Sequence, residues 1–493
     1  MKLTGFLFAA ALLGTCTQPA AEENYTRHVD PKIGTGGHGH VFVGANVPFG
    51  LVQVGPTSIP QTWDWCSGYH ASDSTVIGFS HTHLSGTGIG DLFDITVMPV
   101  VGEVTYARGE ENDPASGLWS YADRTREITK PGYYSVPLVR YGITAELTAT
   151  ERVGLHRYTF PASDAAAVVF DLENGGCWDK ATDTGFRFSD DSTRIAGWRC
   201  STGWAKNQEV YFVAEFSKPA KGISYLQPGE IDDSKMPRIV ARYARVDFDT
   251  AEGEQVLVKV ALSPVSIEGA KANLAAELPG WDFDATAAAA DKAWNDELSK
   301  VKIETEDETS KRIFYTALYH TMVAPSLFCD VNGDYRGADG KVHENPGRDT
   351  YTTFSLWDTY RAAMPLMTVL HPERMPDIIQ TMLHIADEQG RLPVWHLWGN
   401  ETDCMVGNPG IVAVADAIVK GIGGFDREKA FETIRKTAMN PDRGNGLRME
   451  YGYIPCEMFN EAVAYDMEYA LADGAAARAA EALGKAEDAK YFE

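Results

Sequence analysis

The feature that most constrains this chain is a change of pattern near Pro279, with strand-like sequence before it and helical sequence after it. Segments 133–147, 151–160, 166–173, 210–216, 238–248 and 256–262 are rich in Val, Tyr, Phe and Thr, many alternate apolar with polar residues, and Gly, Pro, Asp or Asn separates them. Many strands with no helical pattern between them specify an antiparallel β-sandwich. Beyond Pro279, residues 284–300 form an alanine-rich helix with Asp284 as its N-cap, and 310–324, 375–389, 411–420, 426–439 and 461–493 continue in helical spacing. The expected organisation is a sandwich over 27–275, a linker with a helix over 276–308 and an all-α domain over 309–493. With 493 residues the chain is too long for one ordinary core.

The N-terminus adds an address. Met1-Lys2, an apolar run from Leu3 to Leu13 and then Gly14-Thr15-Cys16 read as a secretory signal over residues 1–22, too short to span a bilayer. The Leu-Gly-Thr-Cys ending is that of a bacterial lipoprotein signal, with Cys16 the lipidated residue; cleavage near Ala20-Ala21 is the alternative. Export places the chain in the periplasm or on the outer-membrane surface of a Gram-negative bacterium. The formal charge of −25 argues against nucleic acid, since phosphate binding needs clustered Lys and Arg. Apart from Cys16, the six cysteines are widely spread with no Cys-x-x-Cys pair, and Cys177 with Cys200 is the expected disulfide.

Two stretches carry the chemistry. Trp357-Asp358-Thr359-Tyr360-Arg361 and Trp395-His396-Leu397-Trp398-Gly399-Asn400-Glu401-Thr402-Asp403 set indoles beside carboxylates, and one helix ending at Gly390 separates them. A pyranose has an apolar face that stacks on an aromatic ring and hydroxyls that need charged acceptors, so this pairing suits a sugar pocket. Asp358 is the first candidate for a hydroxyl-binding carboxylate, with Arg361 orienting it; Glu401 and Asp403 follow, and Trp357 and Trp398 are candidate walls.

The sandwich sequence contributes further candidates. Glycines crowd 33–50, with no Gly-Lys-Ser/Thr after them, so they read as tight turns that let backbone approach a ligand or the neighbouring domain and not as a phosphate loop. Trp65 is a stacking platform. His81 and His83, two apart, share a face if on a strand, which suits two metal ligands; lacking a third at a set spacing, they read first as sugar-bonding or structural groups.

The stretches VDPKIGTGGHGHVFVGANVPFGLVQVGPTS, GFSHTHLSGTG, TTFSLWDTYRAAMPL, LPVWHLWGNETDCMVG and EAVAYDMEYALAD resemble glycoside hydrolase family 92, secreted exo-acting α-mannosidases. The resemblance implies an N-terminal sandwich, a C-terminal (α/α)6 toroid, an α-mannoside substrate, a calcium ion whose ligands the sequence leaves unknown, and hydrolysis with inversion. Inversion uses one carboxylic acid and one carboxylate base. The family's acid motif, Glu-(Gly/Ala)-Asn-Ala-Trp-Gln, and its Gly-Asn-Asp-Asp base motif do not occur here, and the expectation is that both follow Glu493. The helical segments supply roughly half the six pairs of a toroid, so the expectation is a chain cut in mid-domain. A non-catalytic glycan-binding surface lipoprotein is the competing reading.

Overall fold

The computed structural model describes residues 23–187, 191–226 and 238–493; the leader and its lipidation candidate Cys16 lie outside them. Two antiparallel sheets make the N-terminal half. A six-stranded sheet is ordered Gly55–Thr57, Gly78–Ser80, Thr96–Val101, Ser163–Asp171, Tyr243–Thr250, Gly222–Leu226. A nine-stranded sheet runs Arg238–Val240, Lys180–Arg187, Arg194–Thr202, Gln208–Phe216, Glu254–Ser263, Val153–Phe160, Ile143–Ala149, Tyr133–Leu138, Ile128–Lys130. Alternation in the strands turns Val168, Phe170, Val246 and Phe248 from one sheet and Leu147, Tyr158, Phe212 and Val258 from the other into a shared core. The single strand read over 133–147 is a hairpin, turning at Gly142 with φ +63°.

The outer face of the larger sheet is covered by a helix that the strand patterning did not reveal, Ile267–Glu277, whose Ala270 and Leu274 pack on Val153, Leu155 and Val213. The next helix, Phe283–Leu298, is capped by Asp282 and not by Asp284: the Asp282 carboxylate accepts the Ala285 N–H, while Asp284 pairs with Arg157 at 2.9 Å. Its Trp294 is fully buried, donates to Asn46 O at 2.7 Å and lies on Tyr319. The chain's first described residues are stitched to this helix and to the one after it, Glu308–His320: Tyr25 N–H donates to Asn295 Oδ1, Thr26 Oγ1 to Asp291 and Asp30 N–H to Thr316 Oγ1.

The second half is helical. Pro409–Val419, apolar almost all round, lies at its centre against Leu356–Thr359, Ala363–Leu370, Met375–Gln389, Arg427–Ala438 and Ala462–Ala482. The helix expected over 461–493 is two, Ala462–Ala482 and Ala486–Phe492, because Gly484 turns the chain at φ +71°.

All six cysteines in the described residues are free thiols, including Cys177 and Cys200. Cys200 lies on a strand opposite Asp183 and Glu209, whereas Cys177 sits in a loop against Gly90, so the expected disulfide is corrected to two separate thiols. At Gly44 a Cβ would stand 2.3 Å from Val54 O, so the close approach that its glycine permits is to the sandwich itself and not to a ligand or the other domain.

Candidate functional site

The two Trp-acid stretches meet in a small antiparallel sheet. Phe354–Ser355, Trp395–Leu397 and Asn400–Glu401 pair with Ser355 opposite Trp395 and Leu397 opposite Asn400. The turn Leu356–Thr359 leaves this sheet with Asp358 exposed, and its Oδ2 accepts a 2.5 Å hydrogen bond from Ser355 Oγ. Trp357 is half-buried beside it, and its indole Nε1 is buried without a partner. Arg361 does not orient Asp358: its guanidinium stacks over Trp357 and Tyr360, 4.6 Å from each ring centre, and pairs with Glu468 at 2.7 Å. The Tyr360 hydroxyl donates to the other oxygen of Glu468 at 2.9 Å. Glu468 was missed in the sequence, where helical spacing cannot show which residue an acid will reach.

Glu401 and Asp403 have structural partners. Glu401 accepts the backbone N–H groups of Val394, Trp395 and Asp403 at 2.8–3.0 Å, so it fixes the loop between the strands. Asp403, held at φ +54°, pairs with Arg391 and Arg443. Trp398 belongs to the interior and not to a wall: it is 2% exposed, lies edge-on to Phe328 and donates its backbone N–H to Thr352 Oγ1.

The sandwich histidines are also interior. The strand ends at Ser80, before either of them. His81 Nδ1–H donates to Ile95 O at 2.6 Å and Nε2 meets His156 Nε2 at 2.9 Å; His83 Nδ1–H donates to Gln53 O at 2.8 Å. Burial pushes their pKa values down to about 3 and about 4, so both rings are neutral structural groups. Trp65 is half-buried, stacked on His70 with its Nε1 donating to Asp73 Oδ2 at 2.7 Å. The open indole of that stretch is its neighbour Trp63, 49% exposed, beside Asp64, His38 and His40.

A hairpin loop brings the sandwich to the small sheet of Trp395 and Asn400. Trp204 packs on Trp395 with ring centres 4.6 Å apart, and Asn207 and Asn400 exchange two 3.0 Å hydrogen bonds between backbone and amide. The loop rests on a buried ionic core: Arg199 pairs with Asp94 and Asp179, and Asp91 accepts the Ala205 N–H at 2.8 Å. Desolvation raises the Asp91 carboxyl to about 7. On the helical side, Cys404 lies within electrostatic reach of Asp358 and of Glu461, which lines a cavity of about 450 Å³ with Cys456, Met458 and Tyr465.

Two clusters in the described residues bring three possible metal ligands together: His38, His40 and Asp64, and Glu297, His371 and Glu373. The second already holds a cation, since Lys300 Nζ lies 2.8 Å from each carboxylate and 3.2 Å from His371. Neither is the cage of six to eight oxygens that calcium takes, so these residues do not fit calcium.

Residues 28–263 match the model of the glycosyl hydrolase family 92 N-terminal domain, and residues 269–493 that of its catalytic domain. A family GH92 α-mannosidase of Bacteroides thetaiotaomicron, solved with mannoimidazole, is 38% identical and superposes with a TM-score of 0.90 over 95% of this chain and 63% of its own. A family GH92 inverting mannosidase of the same bacterium is 28% identical, with a TM-score of 0.82 over 97% of this chain and 64% of its own. A protein described as an uncharacterized secreted glycosidase, from Arthroderma benhamiae, is 25% identical over 96% of this chain and 61% of its own. The chain thus spans less than two thirds of the length of these relatives.

Proposed function

This chain belongs to glycosyl hydrolase family 92, and on that premise we propose that it is the sugar-recognition part of an exported exo-α-mannosidase that inverts the anomeric centre. The observation that carries the reading is the small sheet in which Ser355, just ahead of half-buried Trp357 and exposed Asp358, stands opposite Trp395, the ring on which the sandwich's Trp204 packs. Asp358 takes ring hydroxyls, Trp357 the apolar face of the sugar, and the Arg361–Glu468 pair keeps the indole in place. The loop-fixing Glu401 and Asp403 shape the site from behind.

Inversion needs two carboxyl groups about 6.5–9.5 Å apart, one protonating the leaving oxygen and one activating water. We assign that pair, and any calcium ion, to residues outside this sequence, which holds neither family motif for acid and base. Specificity for α-1,2-linked mannose is the linkage we propose to test first. The leader of residues 1–22 exports the protein, and Cys16 anchors it to a bacterial membrane; Cys16→Ala should move the protein from the membrane fraction to the soluble one.

The test uses aryl α-mannoside and the α-1,2-linked mannobiose, with and without a calcium chelator, on this chain and on a version lengthened by the codons that follow. The expected result is mannose binding by both and chelator-sensitive hydrolysis by the longer one alone. Hydrolysis by residues 1–493 would place the acid and base among them. Failure of both to bind mannose would overturn the reading.

A further inference from the structure

We propose that His38, His40 and Asp64 form a site for a divalent transition-metal ion of the zinc type on the sandwich surface, with Trp63 as its wall. One donor atom from each residue lies within 4.8 Å of the others. The same carboxylate oxygen, Asp64 Oδ1, faces both rings, 2.6 Å from His38 Nδ1 and 3.2 Å from His40 Nε2. Tetrahedral zinc with bonds of about 2.0–2.2 Å holds its ligand atoms roughly 3.3 Å apart. A small swing of the exposed His38 ring opens the cluster to that size. Two imidazoles and one carboxylate suit zinc, cobalt, nickel or copper and not calcium, which seeks an all-oxygen shell.

The backbone supports the same conclusion. His40 is held at φ +54°, a left-handed conformation uncommon outside glycine, although it is almost fully buried. Its carbonyl is fixed by Ser67 Oγ and by the Gly86 N–H, and its ring meets the Trp63 indole edge-on at 4.3 Å. Strain of this kind persists where the surrounding structure over-determines it, and here it aims a donor atom at Asp64. Gly39 permits the bend, since a Cβ there would stand 1.8 Å from Gly34 O. No Lys or Arg among the described residues pairs with Asp64, whose side-chain partners are the two imidazoles. That separates this cluster from the Lys300-filled one. With His38 exposed, three protein ligands leave a fourth position to water or to a hydroxyl stacked near Trp63.

The site is independent of the proposed hydrolase reading, and its test reads metal and not activity. The chain, without a histidine tag and stripped of metal, is titrated with Co2+. One equivalent should give a visible absorption band that Zn2+ abolishes and Ca2+ leaves intact. Co2+ should also quench part of the tryptophan fluorescence, and Trp63→Phe should remove that part. His38→Ala, at an exposed position, and Asp64→Asn should each weaken Zn2+ binding at least tenfold. Absence of the band, or Zn2+ affinity unchanged in the His38→Ala/Asp64→Asn double variant with the fold intact by circular dichroism, would overturn the proposal.

Discussion

Asp358 and Glu401 stand in similar Trp-rich stretches, and their surroundings separate them. Three backbone N–H groups occupy Glu401, whereas Asp358 has a single serine hydroxyl and open solvent. Sequence could place both acids near one mouth, but not show which keeps a free oxygen, because main-chain donors leave no trace in residue type. Asp358→Ala should weaken mannose binding at least tenfold, on the order of 1.5–3 kcal/mol for hydrogen bonds to a charged group. As a surface change it should leave stability within about 0.5 kcal/mol, so binding near wild type by calorimetry would reassign the residue. Asp91 makes a pH prediction. Its folded-state pKa of about 7 lies above the ordinary 3.8, so its contribution to stability is complete below about pH 4 and is lost as pH rises through 7. Asp91→Asn should therefore gain stability relative to wild type between pH 5 and 8, by about 4 kcal/mol at most. An equal difference at both pH values in denaturant titrations would show that the carboxyl does not titrate there.

At the scale of elements, the strand pattern and the helix periods were legible because burial on one face repeats every two or about 3.6 residues. Met375–Gln389 and the Asp426-capped helix Arg427–Ala438 lie where the sequence places them. What escaped was set by position in space. Ile267–Glu277 is rich in small residues with little contrast between its faces, and Asp282 won the cap over Asp284 because Arg157 holds the latter. Asp282→Ala should cost about 1 kcal/mol and Asp284→Ala less, measured by urea unfolding; the reverse order would return the cap to Asp284. The Trp204 loop was unforeseen as a contact, since its partner Trp395 is distant in sequence. Trp204→Ala should split a single melting transition into two by calorimetry, one for each half; one unchanged transition would mean that the halves are locked elsewhere.

For the whole molecule, Val463, Met467 and Leu471 make an exposed stripe along Ala462–Ala482, with Val369 and Leu366 exposed on another helix. Contiguous apolar surface of this kind drives association. Polar replacement of the three stripe residues should raise the solubility of the 493-residue chain with little effect on its melting temperature; unchanged light scattering would show that the stripe is not the cause. The sequence made a sandwich followed by helices readable, but not how the halves are joined. That join has a consequence for the order of events in the cell. Tyr25 and Asp30, among the earliest described residues to be translated, bond to Asn295 and Thr316, 270 and 286 positions later. These bonds therefore cannot form until more than half the chain has been made. This seam, closed over so long a stretch of chain, forms late in folding, once the helices that receive it are in place.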